Sequence, residues 1–459
     1  MDGDLDPWRT GWVALDALAV SHGTPQRVEQ RRQERLRALL EAAPASAFWR
    51  ERLAGRRPAD GLEGLAPVGK RELMARFGDW VADHRLDRAR LEAFVADAAR
   101  VGEAFDGRYV VWESSGSTGE PGLFVQDAAA MAVYDALEGL RRPPLNPLRR
   151  WLDPGCVAER IAFVGATSGH FASTVSMQRL CRLQPGFANR SRGFDFLQPL
   201  PALVAQLNAH APTVLASYPS AALLLAGEAR AGRLKVQLAE VWTGGETLSA
   251  PMRADIEAAF GCPVANSYGA SEFLAIAAAC VHGVLHLNAD WVILEPVDER
   301  GRPVPAGVCG ASVWLTNLAN HVQPLIRYDL GDRVTLLAEP CTCGSPLPAI
   351  EVQGRSDDML CLHGKQGQRV HLLPLALTTV LEDDGGVLDF QLVQTGPSAL
   401  RLDLGAQHGS VDAARARDAL QAWLQRQGLP AVRLTTRSVV SFEPGRSGKL
   451  QRVRSTSRA

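Results

Sequence analysis

The middle of the chain alternates short apolar runs with stretches of helical period. IAFVG (161–165), TVLAS (213–217) and AEVWTGG (239–245) have strand length and read as buried strands. Between and after them, 201–208, 220–230 and 250–260 carry the composition of helices. The first opens on Pro201, a residue that suits a helix start. Strands alternating with helices predict an α/β sheet. From 283 to 334 the pattern becomes strand-rich, with VWLTN (313–317) and RVTLLAE (333–339).

The last hundred residues have a different texture. FQLVQ (390–394) and ALRLDLGA (399–406) alternate apolar with polar positions. Leu400, Leu402 and Leu404 face one way, Arg401 and Asp403 the other. A helix over 411–427 puts Leu420, Trp423 and Leu424 on one face, and a strand is expected at 438–442. These elements predict a small α+β unit. At the other end, residues 24–54 read as mostly helix, with Val28, Leu36, Leu39 and Leu40 at mostly helical spacings. Arg27, Arg31, Arg32, Arg35 and Arg37 make this helix basic, but Glu29, Glu34 and Glu41 interleave. A solvated face is the favoured reading over a polyanion-binding one. The Pro-rich segment 142–155 reads as a surface loop.

Composition narrows the class. A length of 459 residues suits two or more domains. With 46% hydrophobic and 22% charged residues the chain is globular rather than disordered. Its 49 Lys+Arg against 50 Asp+Glu leave a charge of −1, which argues against nucleic-acid or anionic-membrane partners. The apolar run 273–281 is far shorter than the ~20 residues a bilayer needs. The opening MDGDLDPWRT lacks the character of a signal peptide, and eight cysteines are too sparse for a disulfide scaffold. A cytoplasmic location is the expectation.

Five segments carry candidate chemistry. ESSGSTGEPG (113–122) offers small hydroxyls and glycines that let backbone N–H groups approach an anion. It lacks both the Walker A and the Rossmann glycine spacings. NSYGASE (266–272) pairs an aromatic ring with a carboxylate suited to Mg²⁺. IRYDLGD (326–332) ends on Asp332, which can accept hydrogen bonds from ribose hydroxyls. GRSDDML (354–360) and GRSGK (445–449) follow; the latter sets Lys449 on a glycine-flanked loop as a mobile charge for phosphate oxygens.

Together and in this order, the five segments resemble the adenylate-forming superfamily of acyl-CoA ligases, adenylation domains and luciferases. Within it the chain is most similar to the phenylacetate–CoA ligase branch. The resemblance spans about residues 110–455. It implies a large, multi-layered α/β N-terminal adenylation domain (1–356) joined by a hinge at Asp357 to a small, mobile α+β domain (357–459). It implies that Ser114, Ser115, Ser117, Thr118 and Gly119 hold the ATP phosphates. Gly244, Gly245 and Glu246 would line the adenine and acyl pockets. Within Asn266-Ser267-Tyr268-Gly269, Tyr268 would stack on adenine. Glu272 would bind Mg²⁺, and Asp332 and Arg355 the ribose. Lys449 would meet the substrate carboxylate and the α-phosphate. His170, in GATSGHFAS (165–173), is a candidate acyl gate or a loop histidine with a structural hydrogen bond.

Two positions depart from the pattern. Gly122 stands where the phosphate loop often has lysine, and Asp329 where many members have arginine. Both make the phosphate region less positive. A zinc site is a further candidate, from the donor types zinc prefers: Cys280, His286, Cys341 and Cys343, with His282 as the alternative histidine. The branch has members with a structural metal there.

The implied activity is ATP-dependent activation of a carboxylic acid, an aromatic one by resemblance, to an acyl-adenylate, followed by transfer to coenzyme A. The alternatives are transfer to a carrier-protein thiol or an amine, and a degenerate nucleotide-binding relative. A homodimer is the expectation taken from the branch.

Overall fold

Two antiparallel strands, β1 (Val110–Glu113) and β2 (Leu123–Gln126), bracket the Ser/Gly/Thr segment. The computed structural model describes residues 5–114, 121–141, 145, 151, 153, 157–167, 169–353, 359–364, 368–387, 390–405, 410–440, 442 and 452–455.

The three apolar runs of the middle region fold as parallel strands. They are β3 (Ile161–Gly165), β5 (Val214–Ser217) and β6 (Glu240–Thr243); β4 (Ser191–Asp195) precedes β5 in the chain. With β7 (Val264–Ala270) they lie side by side in the order β4-β3-β5-β6-β7. At β7 the direction reverses. β8 (Phe273–Ala279) and β9 (Leu285–Leu287) run antiparallel, and β13 (Arg333–Leu336) and β14 (Ala349–Gln353) complete a nine-stranded sheet. β10 (Val292–Val297), β11 (Ser312–Asn317) and β12 (Tyr328–Asp329) form a second sheet of three.

Side chains alternate across the parallel strands. Ala162, Val164, Leu215 and Val241 face the apolar core that also holds Leu203, Leu207, Ala222, Leu225 and Ile256. Those last five come from the helices Leu200–His210, Pro219–Arg230 and Ala250–Phe260. All three of these helices carry proline in the first turn. The third is capped by Ser249 and ends on Gly261 at φ 64°. The opposite face, with Ile161, Phe163, Ala216, Glu240 and Trp242, borders a cavity instead.

The N-terminal region is helical, as expected, over Pro25–Ala42 and Ala47–Arg52. A helix at Pro7–Ser21 was not legible because its outward face carries Trp8, Trp12 and Leu15, which blurs the apolar stripe. The basic helix is a paired surface: Arg31 binds Asp16 and Glu34, and Arg32 binds Glu29. Arg35 is an anchor. It reaches the fully buried Asp290 at 2.8 Å and stacks on Trp291. Arg141, just beyond the Ala128–Leu140 helix, donates to the same carboxylate at 2.7 Å. Burial pushes the Asp290 pKa up, but the two guanidiniums prevail and hold it below the ordinary value.

After β14 the chain forms the hairpin β15 (Leu360–His363) and β16 (Arg369–Leu372). Then β17 (Phe390–Gly396), β18 (Ala399–Gly405), β19 (Arg433–Val439) and β20 (Val453–Ser455) form a sheet in the order β19-β18-β17-β20. The helix Ser410–Arg426 follows the expected 411–427. The last predicted strand needs correction: it is Arg433–Val439, not 438–442. β19 is a largely exposed edge strand held by pairing with β18 and by Arg437 on Asp403, so no apolar run marks it. This C-terminal unit packs on the parallel layer. Leu360, Leu377, Phe390 and Trp423 belong to the same apolar cluster as Val164 and Leu215. Trp423 and Gln427 donate to the Leu197 carbonyl at 3.0 and 2.6 Å.

Removing Asp290 would strand two buried cations. Asp290→Ala should destabilise the fold by about 3–5 kcal/mol, read as a lowered urea midpoint with unchanged slope. A loss under about 1 kcal/mol would show that the pair is not an anchor.

Candidate active site

The carboxyl ends of the parallel strands and the β7–β8 turn open onto one cavity of about 2200 Å³. Ligands of open α/β sheets sit outside such strand ends. Gly244 and Gly245, Ser267, Gly269, Glu272, Asp332, Ser114 and Lys70 all line it. The backbone here tolerates no side chain at Gly269, where a Cβ would lie 2.0 Å from the Leu274 carbonyl. Gly245 has φ 78°, and a Cβ there would meet the Tyr218 ring at 3.1 Å. These glycines let strand ends and main chain approach a ligand closely.

Glu272 is nearly fully buried. Burial raises its pKa, while the Lys70 charge and a hydrogen bond from Tyr328 pull it down. Tyr268 donates to Asp332 Oδ2 at 2.8 Å, and its own pKa is raised by burial and by that carboxylate. At the other wall Ser114 and Gly122 pin the two ends of the Ser/Gly/Thr segment. The Ser114 N–H donates to the Gly122 carbonyl at 2.9 Å, and its Oγ accepts from the Gly122 N–H at 2.9 Å. Lys70 Nζ donates to the same Oγ at 3.2 Å. The cavity edge therefore holds a cation, a carboxylate and backbone ends of strands within one concave surface, the donor and acceptor set of a phosphate-bearing ligand with a metal ion.

Residues 31–318 match the AMP-binding enzyme family. The chain belongs to that family. It is 32% identical over 179 residues to the phenylacetate–coenzyme A ligase of Thermus thermophilus, covering 37% of this chain and 39% of that protein. A phenylacetate–coenzyme A ligase of Aromatoleum evansii is 34% identical over 127 residues, 26% of this chain and 28% of that one. The matched stretches thus span about two fifths or less of these relatives. Among solved structures, a 2-hydroxyisobutyryl-CoA ligase bound to 2-HIB-AMP and CoA matches with a TM-score of 0.58. The identity is 22%, over 95% of this chain and 91% of that one. That likeness shows a shared α/β fold along the chain.

As a member of the AMP-binding enzyme family, the chain brings together some of the expected site residues and sets others aside. Ser114, Gly244, Gly245, Ser267, Gly269, Glu272 and Asp332 share the cavity. Asn266 turns back to accept from Thr243 Oγ1 at 3.0 Å. Glu246 accepts from Ser220 N and Oγ at 3.0 and 2.9 Å, which ties it to the start of the Pro219–Arg230 helix. His170 is fully buried, packs on Phe94 with ring centroids 5.2 Å apart, and lies outside the cavity lining. Its neighbours Phe171 and Ser173 face the cavity instead, so the geometry gives His170 a packing position rather than a gating one. Ser115, Ser117, Thr118, Gly119, Arg355, Asp357 and Lys449 lie outside the described residues.

Sequence reasoning missed Lys70. It sits at the start of a short helix, Lys70–Ala75, 44 positions before Ser114, and nothing local marks it. The two departures acquire physical accounts. A Cβ at Gly122 would lie 2.9 Å from the Phe124 ring and 3.2 Å from Ser114 Oγ, so a lysine there would have to displace that ring. Asp329 accepts from Ser312 Oγ at 2.5 Å and from the Gly331 N–H at 3.1 Å, so it caps its own turn.

The thiol and imidazole donors converge elsewhere. The ligand atoms of Cys280, His286, Cys341 and Cys343 all lie within 4.8 Å of one another. Cys280 and Cys341 Sγ are 3.9 Å apart, and Cys343 Sγ is 3.3 Å from His286 Nε2. Tetrahedral Zn–S bonds of about 2.3 Å put sulfurs roughly 3.8 Å apart. His286 Nδ1 meets the Leu347 carbonyl at 2.9 Å, which leaves Nε2 for a metal. His282 lies in the exposed turn before β9 and outside this cluster.

Glu113 lines the cavity beside Asp383 and Glu382 of the C-terminal unit. Burial, then those two carboxylates, push its pKa from 4.5 to about 7. The folded state therefore holds this proton more tightly than the unfolded chain does. The stability this contributes is full below about pH 4.5 and is lost as pH rises to about 7. Glu113→Gln should lose less stability than the parent across that window and run parallel to it above pH 7. Urea titrations at successive pH values check this; a pH-independent difference would refute it.

Proposed function

We propose that this chain joins a carboxylic acid to coenzyme A in two steps at the cavity described above. In the first, the acid attacks the α-phosphate of ATP and pyrophosphate leaves; in the second, the thiol displaces AMP from the acyl-adenylate. The observation that carries the reading is the meeting of Lys70, Ser114, Glu272 and Asp332 around one cavity at the strand ends. Family membership and the phenylacetate–CoA ligase relatives support the class, and an aromatic acid is the substrate those relatives suggest.

In this reading the Ser114–Gly122 closure shapes the loop that cradles phosphates. Lys70 supplies the positive charge that Gly122 does not. Glu272 fits Mg²⁺, a hard cation held by one or two carboxylates together with substrate phosphates. When bound, the ion neutralises phosphate charge. Asp332, oriented by the Tyr268 hydroxyl, accepts from the ribose hydroxyls. Lys449, Arg355 and the hinge at Asp357 complete the proposal from the sequence, with the small unit turning between the steps. Cys280, His286, Cys341 and Cys343 form a closed structural zinc site that ties the β8–β9 hairpin to the segment before β14.

The test is carboxylate-dependent ATP–pyrophosphate exchange across a panel of aryl and alkyl acids. Exchange with at least one acid is expected, and none from folded protein would refute the reading. In the same assay Lys449→Ala should slow exchange by about 10²–10³, as loss of a preorganised charge does. Lys70→Met should mainly raise the KM for ATP. A change under about threefold in both would unseat the two cations from these roles.

Zinc is tested separately. Metal analysis of untagged protein should find about one zinc per chain, and Cys343→Ser should lose it and lower Tm. Zinc well below that ratio in the parent protein would remove the site.

A further inference from the structure

The cavity continues far past the residues assigned to the nucleotide. It runs along the face of the parallel strands to their amino ends, where Glu159, Ile161, Gln184, Phe187, Arg190 and Glu240 line it. Along β6, Gly244 and Glu240 are four positions apart, about 13 Å of extended chain. The walls between them are apolar: Phe163, Ala216 and Trp242 from the strands, Met177 and Leu180 from the Ala172–Leu183 helix opposite. A cavity of this shape has room for a ring with short carbon arms at both ends.

Its far end is not apolar. Glu240 is 7% exposed and lines the cavity. The Trp242 indole donates to Glu240 Oε2 at 2.9 Å, which fixes the carboxylate's orientation. Among the described residues that indole is its one side-chain hydrogen-bond donor, and no Lys or Arg pairs with it. Arg190 borders the same end, but its Nε donates to the Gly186 carbonyl at 2.8 Å. A buried carboxylate held by one neutral donor is costly unless a further donor or cation meets it. The parity of β6 aims this group at the ligand space rather than at the core.

We propose that the acid this site activates is elongated and carries a protonated amine at its far end, and that Glu240 is the residue that recognises it. This rests on the acid-activating reading above and deepens it to a substrate class. The reacting carboxyl of the acid lies at the strand ends near Gly244, and its ammonium group lies against Glu240.

The matched probes are 4-(aminomethyl)phenylacetate and 4-ethylphenylacetate, which share a shape and differ by an ammonium against a methyl. The parent protein should prefer the amine in kcat/KM for pyrophosphate exchange by about tenfold or more. Glu240→Leu should abolish or invert that preference while keeping exchange with the ethyl acid. Glu240→Gln, which keeps the size and an acceptor for Trp242, should fall between and covers a failure of the leucine variant to fold. Calorimetric binding of the two acids without ATP gives a readout independent of chemistry. If no acid supports exchange, the adenylation reading fails, and the preference in binding still decides the role of Glu240. Equal treatment of the two acids by the parent protein overturns the proposal. So does a preference for the amine that survives both substitutions, which would leave Glu240 as a support for Trp242 alone.

Discussion

Strand parity is the constraint on which the rest of this molecule depends. A parallel strand has two faces, and both are usually spent on helices. Here one face of β3, β5 and β6 packs into the core while the other borders the cavity. A one-residue slip of β6 would bury Glu240 and Trp242 in the core and turn Val241 into the cavity. Residues at the carboxyl ends and residues at the amino ends therefore belong to one ligand space. Neither end can be altered by sliding a strand without losing the other.

Charge at the site follows from a second constraint, the closure of the β1–β2 loop. Gly122 accepts from and donates to Ser114 and sits against Phe124, so the two ends of the loop are pinned together and a side chain at 122 would have to move the ring. A cation arrives from Lys70, in a segment far away in sequence. It also offsets the burial of Glu272, whose carboxylate stands in low dielectric with hydrogen bonds from Tyr328 and from the backbone. One lysine thus serves both walls, and the near-zero net charge of the chain is no obstacle to an anionic ligand.

What could be read in the sequence was what has a period or a spacing. The strands β3, β5 and β6, the helices Leu200–His210, Pro219–Arg230 and Ala250–Phe260, and the C-terminal β17–β18 pair lie within a few residues of expectation because burial dictates their patterns, whereas β4 and the Ala172–Leu183 helix carry no such clear run. The Cys/His set was legible because thiol and imidazole are rare and specific donors. β19 was misplaced because an exposed edge strand is held by backbone pairing, which leaves no apolar signature. Lys70, Asp290 and Glu240 were silent for another reason. Each acts through a neighbour brought by tertiary structure: Ser114 for Lys70, Arg35 and Arg141 for Asp290, the opposing helix and cavity for Glu240. His170, read as a gate or as a structural loop histidine from its place in a motif, packs against Phe94.

The contact between the C-terminal unit and the site is uneven in a way that suits two successive chemical steps. At its outer edge Trp423 and Gln427 share the Leu197 carbonyl, and apolar side chains form a continuous cluster. At its inner edge Glu113 faces Glu382 and Asp383, so acidic groups crowd beside the cavity and Glu113 keeps its proton up to about pH 7. Arg452 neutralises Glu382 across 2.5 Å, but Asp383 is left with its pKa pushed up to about 6 by burial and by its acidic neighbours. Apolar packing and hydrogen bonds hold the outer margin, while acidic groups crowd the inner one. The two-step reaction proposed for this site would draw on such an uneven margin if the small unit turns between the steps, because one rigid wall cannot complement both ATP and a thiol.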